Sequence, residues 1–144
     1  MKLTNHVKLN LPALVGNEGF ARAAVAAFCT SLSPSLEEIN DIKTAVSEAV
    51  TNVIVHAYPD RMGEVDVEVA IYDERLISIT ITDYGIGVPD IQEAKRPFFT
   101  TKSAEEHSGM GFTIMEAFMD ELEVHSEMGN GTCVIMRKSI KEHA

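Results

Sequence analysis

The chain has 144 residues, 45% hydrophobic and 24% charged, with a formal net charge of −10 and a sequence pI near 4.8. These values fit one globular domain spanning residues 1–144, and no apolar run approaches the roughly 18 residues of a membrane span. The acidic balance and the scattered Lys and Arg exclude direct nucleic-acid or anionic-membrane binding as expectations.

The start, Met1-Lys2-Leu3-Thr4-Asn5-His6, lacks the apolar stretch of a signal peptide, so a cytoplasmic protein is expected. Residues 3–11 alternate in part and read as an edge strand. A helix is expected from Gly16-Asn17 to about Cys29, with Phe20, Ala24, Ala27 and Phe28 as its apolar stripe. Ser35 is a plausible N-cap with Glu38 completing a capping box. The helix that follows is expected over 36–58, with Ile39, Ile42, Val46, Ala49, Val50, Val53 and Ala57 facing the core until Pro59 stops it. Residues 64–72 and 76–82 alternate as strands around the turn Asp73-Glu74-Arg75, an antiparallel hairpin. A long segment of turns over 83–108 precedes a helix at 109–119, with Phe112, Met115 and Met119 spaced for burial. Two strands, 122–126 and 132–136, close the chain. The order β-α-α-β-β-loop-α-β-β predicts an α/β two-layer sandwich, a mixed but mostly antiparallel sheet with helices on one face. Cys29 and Cys133, far apart and without metal spacing, read as small buried hydrophobes.

Three patterns carry chemistry. Glu48 and Asn52 lie four apart on the long helix, beside rather than within its apolar stripe, and His56 continues their line. A carboxylate next to an amide oxygen can hold a hydroxyl or water and help ligate Mg²⁺. Asp83-Tyr84-Gly85-Ile86-Gly87 follows a strand; its glycines allow a tight turn, and its carboxylate can accept a hydrogen bond from an adenine amine. Ser108-Gly109-Met110-Gly111 opens a helix, where backbone N–H groups and the helix dipole favour anions. The stretch Pro97 to Ser103 before it, with hydroxyls and Lys102, reads as a lid. Each pattern alone also fits something plainer: a solvated helix face, an Asp-Gly turn, a hinge, a surface loop.

In this order and spacing the three elements resemble the GHKL ATPase superfamily, with its asparagine helix, Asp-x-Gly-x-Gly turn and Gly-x-Gly box after a lid; Gly131-Thr132 resembles its last box. Phe20-Ala21-Arg22, Ser47 to Asn52, Phe99-Thr100-Thr101-Lys102 and Ser108 to Glu116 are similar to the sporulation anti-sigma F factors, with anti-sigma B-type stress-response kinases as near relatives. The resemblance covers nearly the whole chain. It implies the Bergerat-type ATP-binding fold and a homodimeric serine kinase. Such a protein holds a sigma factor inactive and uses Mg²⁺ and ATP, with ADP as product, to phosphorylate a serine of an anti-anti-sigma protein.

Residue by residue, the resemblance implies Glu48 as general base and Asn52 as Mg²⁺ ligand. Asp83 would read adenine, supported by Thr132. Gly85, Gly87, Gly109, Met110 and Gly111 would line the nucleotide, and Thr100, Thr101, Lys102 and Ser108 would belong to the lid and phosphate contacts. Arg22 would sit on the partner surface. Three positions depart from the pattern: His107 where arginine is common, Ala57 where glycine is common and Tyr84 where an acid is common. The competing expectations are an anti-sigma B-type stress-response kinase and a nucleotide-switched binding module without transfer. A detached sensor histidine kinase core is disfavoured, because no histidine sits on a separate dimerising helix.

Overall fold

The computed structural model describes residues 1–88 and 111–142. Five strands form one sheet in the order β1-β2-β3-β5-β4: β1 Leu3–Pro12, β2 Glu64–Tyr72, β3 Leu76–Asp83, β4 Glu121–Glu127 and β5 Gly131–Ser139. Every pairing is antiparallel, so the parallel component allowed by a mixed sheet is absent among the described residues. β1 is an edge strand as expected. β5 inserts between β3 and β4, so β3 lies at the centre of the sheet and ends at Asp83.

Alternation decides which face is covered. On β3, Ile77, Ile79, Ile81 and Asp83 are buried while the residues between them are half-exposed. The same parity buries Val65, Val67, Val69 and Ile71 on β2 and Val134 and Met136 on β5. Against this face pack α1 (Asn17–Cys29), α2 (Leu36–Asn52) and α3 (Gly111–Phe118), which complete one core with Val25, Ile42, Val46, Val50, Phe112 and Met115. The two-layer sandwich is therefore as expected.

Two helices differ in detail. The buried stripe of α1 is Ala21, Val25 and Cys29, at i, i+4 and i+8; Phe20 is 55% exposed and Ala27 is exposed as well. The small residues let α1 approach α2 closely, and that preference outweighs the larger apolar area of Phe20. The long helix is α-helical only to Asn52. Its continuation, Val53–Ala57, is a π-turn, after which Tyr58 leaves the helical region. The β-branched run Val53-Ile54-Val55 crowds a regular helical turn, and Pro59 pushes Tyr58 out of the helical region.

The start of α2 is fixed by the expected capping box. The Ser35 hydroxyl accepts from the Glu38 N–H at 3.0 Å, and Glu38 Oε1 accepts from the Ser35 N–H at 2.9 Å. Glu38 Oε2 also accepts from the Lys141 N–H at 3.0 Å. In the β2–β3 turn, Glu74 and Arg75 both have left-handed φ. From there the Arg75 guanidinium donates to the carbonyls of Ile140, Leu32 and Lys141.

Candidate active site

α2 carries the first part of the site. Glu48 and Asn52 are half-buried, one turn apart, at the rim that their angular offset from the apolar stripe predicts. Beside Glu48 a groove of about 300 Å³ is lined by Arg22 from α1 and by Asn40, Lys43, Thr44, Ser47 and Glu48 from α2. The fold thus joins the residue expected on the partner surface to the residue expected to be the base. Arg22 also pairs with Glu18, one turn back on α1, at 3.4 Å.

The second part is the turn after β3. Asp83 is buried, and its Oδ1 accepts from the Gly85 N–H at 2.9 Å. Burial pushes its carboxyl up, against the lowering effect of backbone N–H groups of Gly85 and Thr132. Thr132 lies directly opposite Asp83 in the β3–β5 register, and its backbone N–H donates to the Asp83 carboxylate. The Thr132 hydroxyl instead lies 3.0 Å from Ser126 Oγ.

The glycines of this turn have reasons within the protein itself. A Cβ at Gly85 would drive into the Ala57 carbonyl at the end of the π-turn. Gly87 has φ +81, and a Cβ there would lie 2.5 Å from the Glu127 carbonyl oxygen. The turn is thereby wedged between the end of the asparagine helix and the β4–β5 hairpin.

Of the third part, Gly111 is the buried first residue of α3. Thr100, Thr101, Lys102, His107, Ser108, Gly109 and Met110 lie outside the described residues. Three residues near the turn carry no motif and escape sequence reasoning. Ser126 Oγ accepts from the Val88 N–H at 2.6 Å, closing the far end of the turn. Tyr58 Oη accepts from the Tyr84 N–H at 2.9 Å, and Arg61 Nη2 donates to the Tyr84 carbonyl at 2.7 Å. Only the proline stop at 59 hints that the chain doubles back there. Cys29 is buried as expected and its thiol is pushed up to about 12 by that burial, whereas Cys133 is only half-buried; both are free.

A family model described as a histidine kinase-like ATPase domain matches residues 11–138. The chain is 51% identical over 140 residues to an anti-sigma F factor of Thermoanaerobacter sp., covering 97% of each chain. It is 50% identical over 139 residues to an anti-sigma F factor of Clostridium perfringens, covering 96% of this chain and 99% of the relative. The chain belongs to the anti-sigma F factor family. Among solved structures, the RsbU and RsbW domains of a Mycobacterium tuberculosis protein match with TM-score 0.72 and 20% identity, covering 98% of this chain and 34% of that one. The mycobacterial sensor histidine kinase MprB matches with TM-score 0.59 and 17% identity, covering 96% of this chain and all of that one. At such identities the structures establish the shared fold alone. Membership in a histidine kinase-like ATPase domain family implies that the chain binds ATP. Among the described residues no helix is long and apolar enough to cross a membrane.

Proposed function

We propose that this protein sequesters a sporulation sigma factor and, as a serine kinase, transfers the γ-phosphoryl group of Mg-ATP to a serine of an anti-anti-sigma protein, acting as a homodimer. The observation that carries the reading is the α2 arrangement: Glu48 faces the groove that Arg22 lines, one helical turn from Asn52. A nucleotide-binding module that transfers nothing needs no carboxylate at that place.

The residues present fit a nucleotide with a hard cation. Asn52 offers an amide oxygen at the helix end, and Mg²⁺ is commonly held by few protein oxygens together with phosphate and water. No cluster of three or more His, Cys, Asp or Glu side chains among the described residues offers an all-protein cage, which suits a cation that arrives with its nucleotide. When bound, the ion supplies positive charge against the phosphates. Asp83 would accept a hydrogen bond from the adenine amine, with Thr132 and Gly85 holding the carboxylate in place. Gly87 and Gly111 would border the nucleotide, and Gly109, Met110, Ser108, Thr100, Thr101 and Lys102 would complete the phosphate side. Glu48 would take the proton of the incoming serine hydroxyl. The serine oxygen bonds to the γ-phosphorus as the bond to the β–γ bridging oxygen breaks, which leaves ADP and phosphoserine. Arg22 would meet both partners at the groove.

The test is transfer of labelled phosphate from ATP to the partner protein. Glu48→Ala should slow transfer by at least about 100-fold while ATP affinity is retained. Transfer at the wild-type rate would remove Glu48 from the chemistry. If the wild-type chain retains the sigma factor yet transfers no phosphate, the non-catalytic module is the correct reading.

A further inference from the structure

We infer that Tyr58 and Tyr84 are positioning residues for the nucleotide: with Arg61 they hold the Asp83–Gly85 turn where Asp83 meets the adenine amine. The inference rests on the proposed role of Asp83 and goes beyond it by naming what fixes that role.

β3 ends at Asp83, so the ladder ends just before the peptide groups of Tyr84. Both of those groups are met by side chains from the segment after the π-turn: the N–H by Tyr58 Oη at 2.9 Å, the carbonyl by Arg61 Nη2 at 2.7 Å. Tyr58 is itself held. Its hydroxyl donates to the Glu64 carbonyl at 2.5 Å, and the Arg61 guanidinium lies over its ring, 5.1 Å from the centroid. A Cβ at Gly63 would collide with the same ring.

The Tyr84 side chain supplies a second tie. Its hydroxyl donates to Asp66 Oδ2 on β2, while Asp66 Oδ1 accepts from Asn10 Nδ2 on β1 at 2.7 Å. Burial pushes the Asp66 carboxyl up, but the hydrogen bonds from Asn10 and Tyr84 and the nearby Lys8 outweigh it and hold it below its ordinary range. Asp66 therefore stays an ionised acceptor at neutral pH. An acid at position 84 would face that carboxylate with like charge, whereas tyrosine offers it a donor. Finally, the Ile86 N–H donates to the Ala57 carbonyl at 3.0 Å. One stretch of chain, residues 53–61, thus begins beside Asn52 and ends by gripping the turn of Asp83. Loosening the grip should degrade recognition of the base and spare the transfer step.

Calorimetric affinities for ADP and for IDP, whose base lacks the exocyclic amine, test this on the full chain. Wild type should prefer ADP. Tyr58→Phe, which leaves the Tyr84 N–H without its acceptor, should weaken ADP by about tenfold and IDP by less, narrowing the preference. KM for ATP should rise with kcat unchanged. Tyr84→Phe, which removes the tie to Asp66 and leaves the Tyr84 peptide contacts in place, should narrow the preference to a smaller degree and serves if the first variant fails to fold. A lowered Tm with an unchanged ADP-to-IDP ratio in both variants would overturn the inference and leave the tyrosines merely structural. A wild-type chain that binds ADP and IDP alike would instead sink the adenine role of Asp83, and the positioning role with it.

Discussion

Asp83 carries opposite demands. Its burial opposes charge, yet an ionised carboxylate is the better acceptor for an amine. The folded-state pKa lies above the unfolded value, so the folded chain binds the proton more tightly than the unfolded chain. The destabilisation this causes is absent below the unfolded pKa and complete above the folded one. Asp83→Asn removes it. The nucleotide-free variant should therefore melt higher than wild type at pH 7, with the difference shrinking as pH falls through the carboxylate range. The same variant should bind ATP more weakly by calorimetry. Melting curves showing no gain at pH 7, or a gain that grows towards acid pH, would contradict the assignment. Asp83 stands out in the sequence through its glycine-flanked turn. Tyr58 and Arg61 do not, because their contacts cross to Tyr84 from a segment 26 and 23 positions away, which no local pattern signals.

At the level of elements, α2 is the part most legible in the sequence. Its cap, its apolar stripe and the rim position of Glu48 and Asn52 all follow from a 3.6-residue period and one Ser-x-x-Glu box. The π-turn was not legible, because a period alone does not distinguish a widened turn from a regular one. The stripe of α1 departs from the expected one for a related reason. Phe20 offers more apolar area than Ala21, but close approach to α2 selects the smaller side chain. Gly85 also makes room for the Ala57 carbonyl, a contact that the Asp-x-Gly-x-Gly spacing does not announce. Ser35→Ala should cost about 1 kcal/mol in chemical denaturation, with ATP affinity unchanged, since Asn52 lies at the opposite end of the helix. A loss of ATP affinity alongside that of stability would mean the cap reaches the site.

For the whole molecule, the central strand β3 is both the core and the approach to the site. Ile79, fully buried at its middle, packs in the same sheet layer that ends at Asp83. Ile79→Ala should lower stability by about 2–5 kcal/mol in denaturant titrations, by lost burial and a residual cavity; a cost below about 1 kcal/mol would mean that the core closes over the gap. The sheet order could not be read from the sequence, because both hairpins announce themselves locally while the insertion of β5 beside β3 is a long-range choice. The carboxylate of Glu38 adds a temporal consequence. One of its oxygens sets the first turn of α2, and the other accepts from Lys141, 103 residues further along. As a ribosome delivers this chain, the helix bearing Glu48 and Asn52 emerges well before Lys141 and waits for that partner, 103 residues after Glu38, before its clasp exists. A nascent protein lacking residues 140–142 would already possess every α2 residue assigned to the chemistry, yet lack the fastening that holds the helix by its first turn.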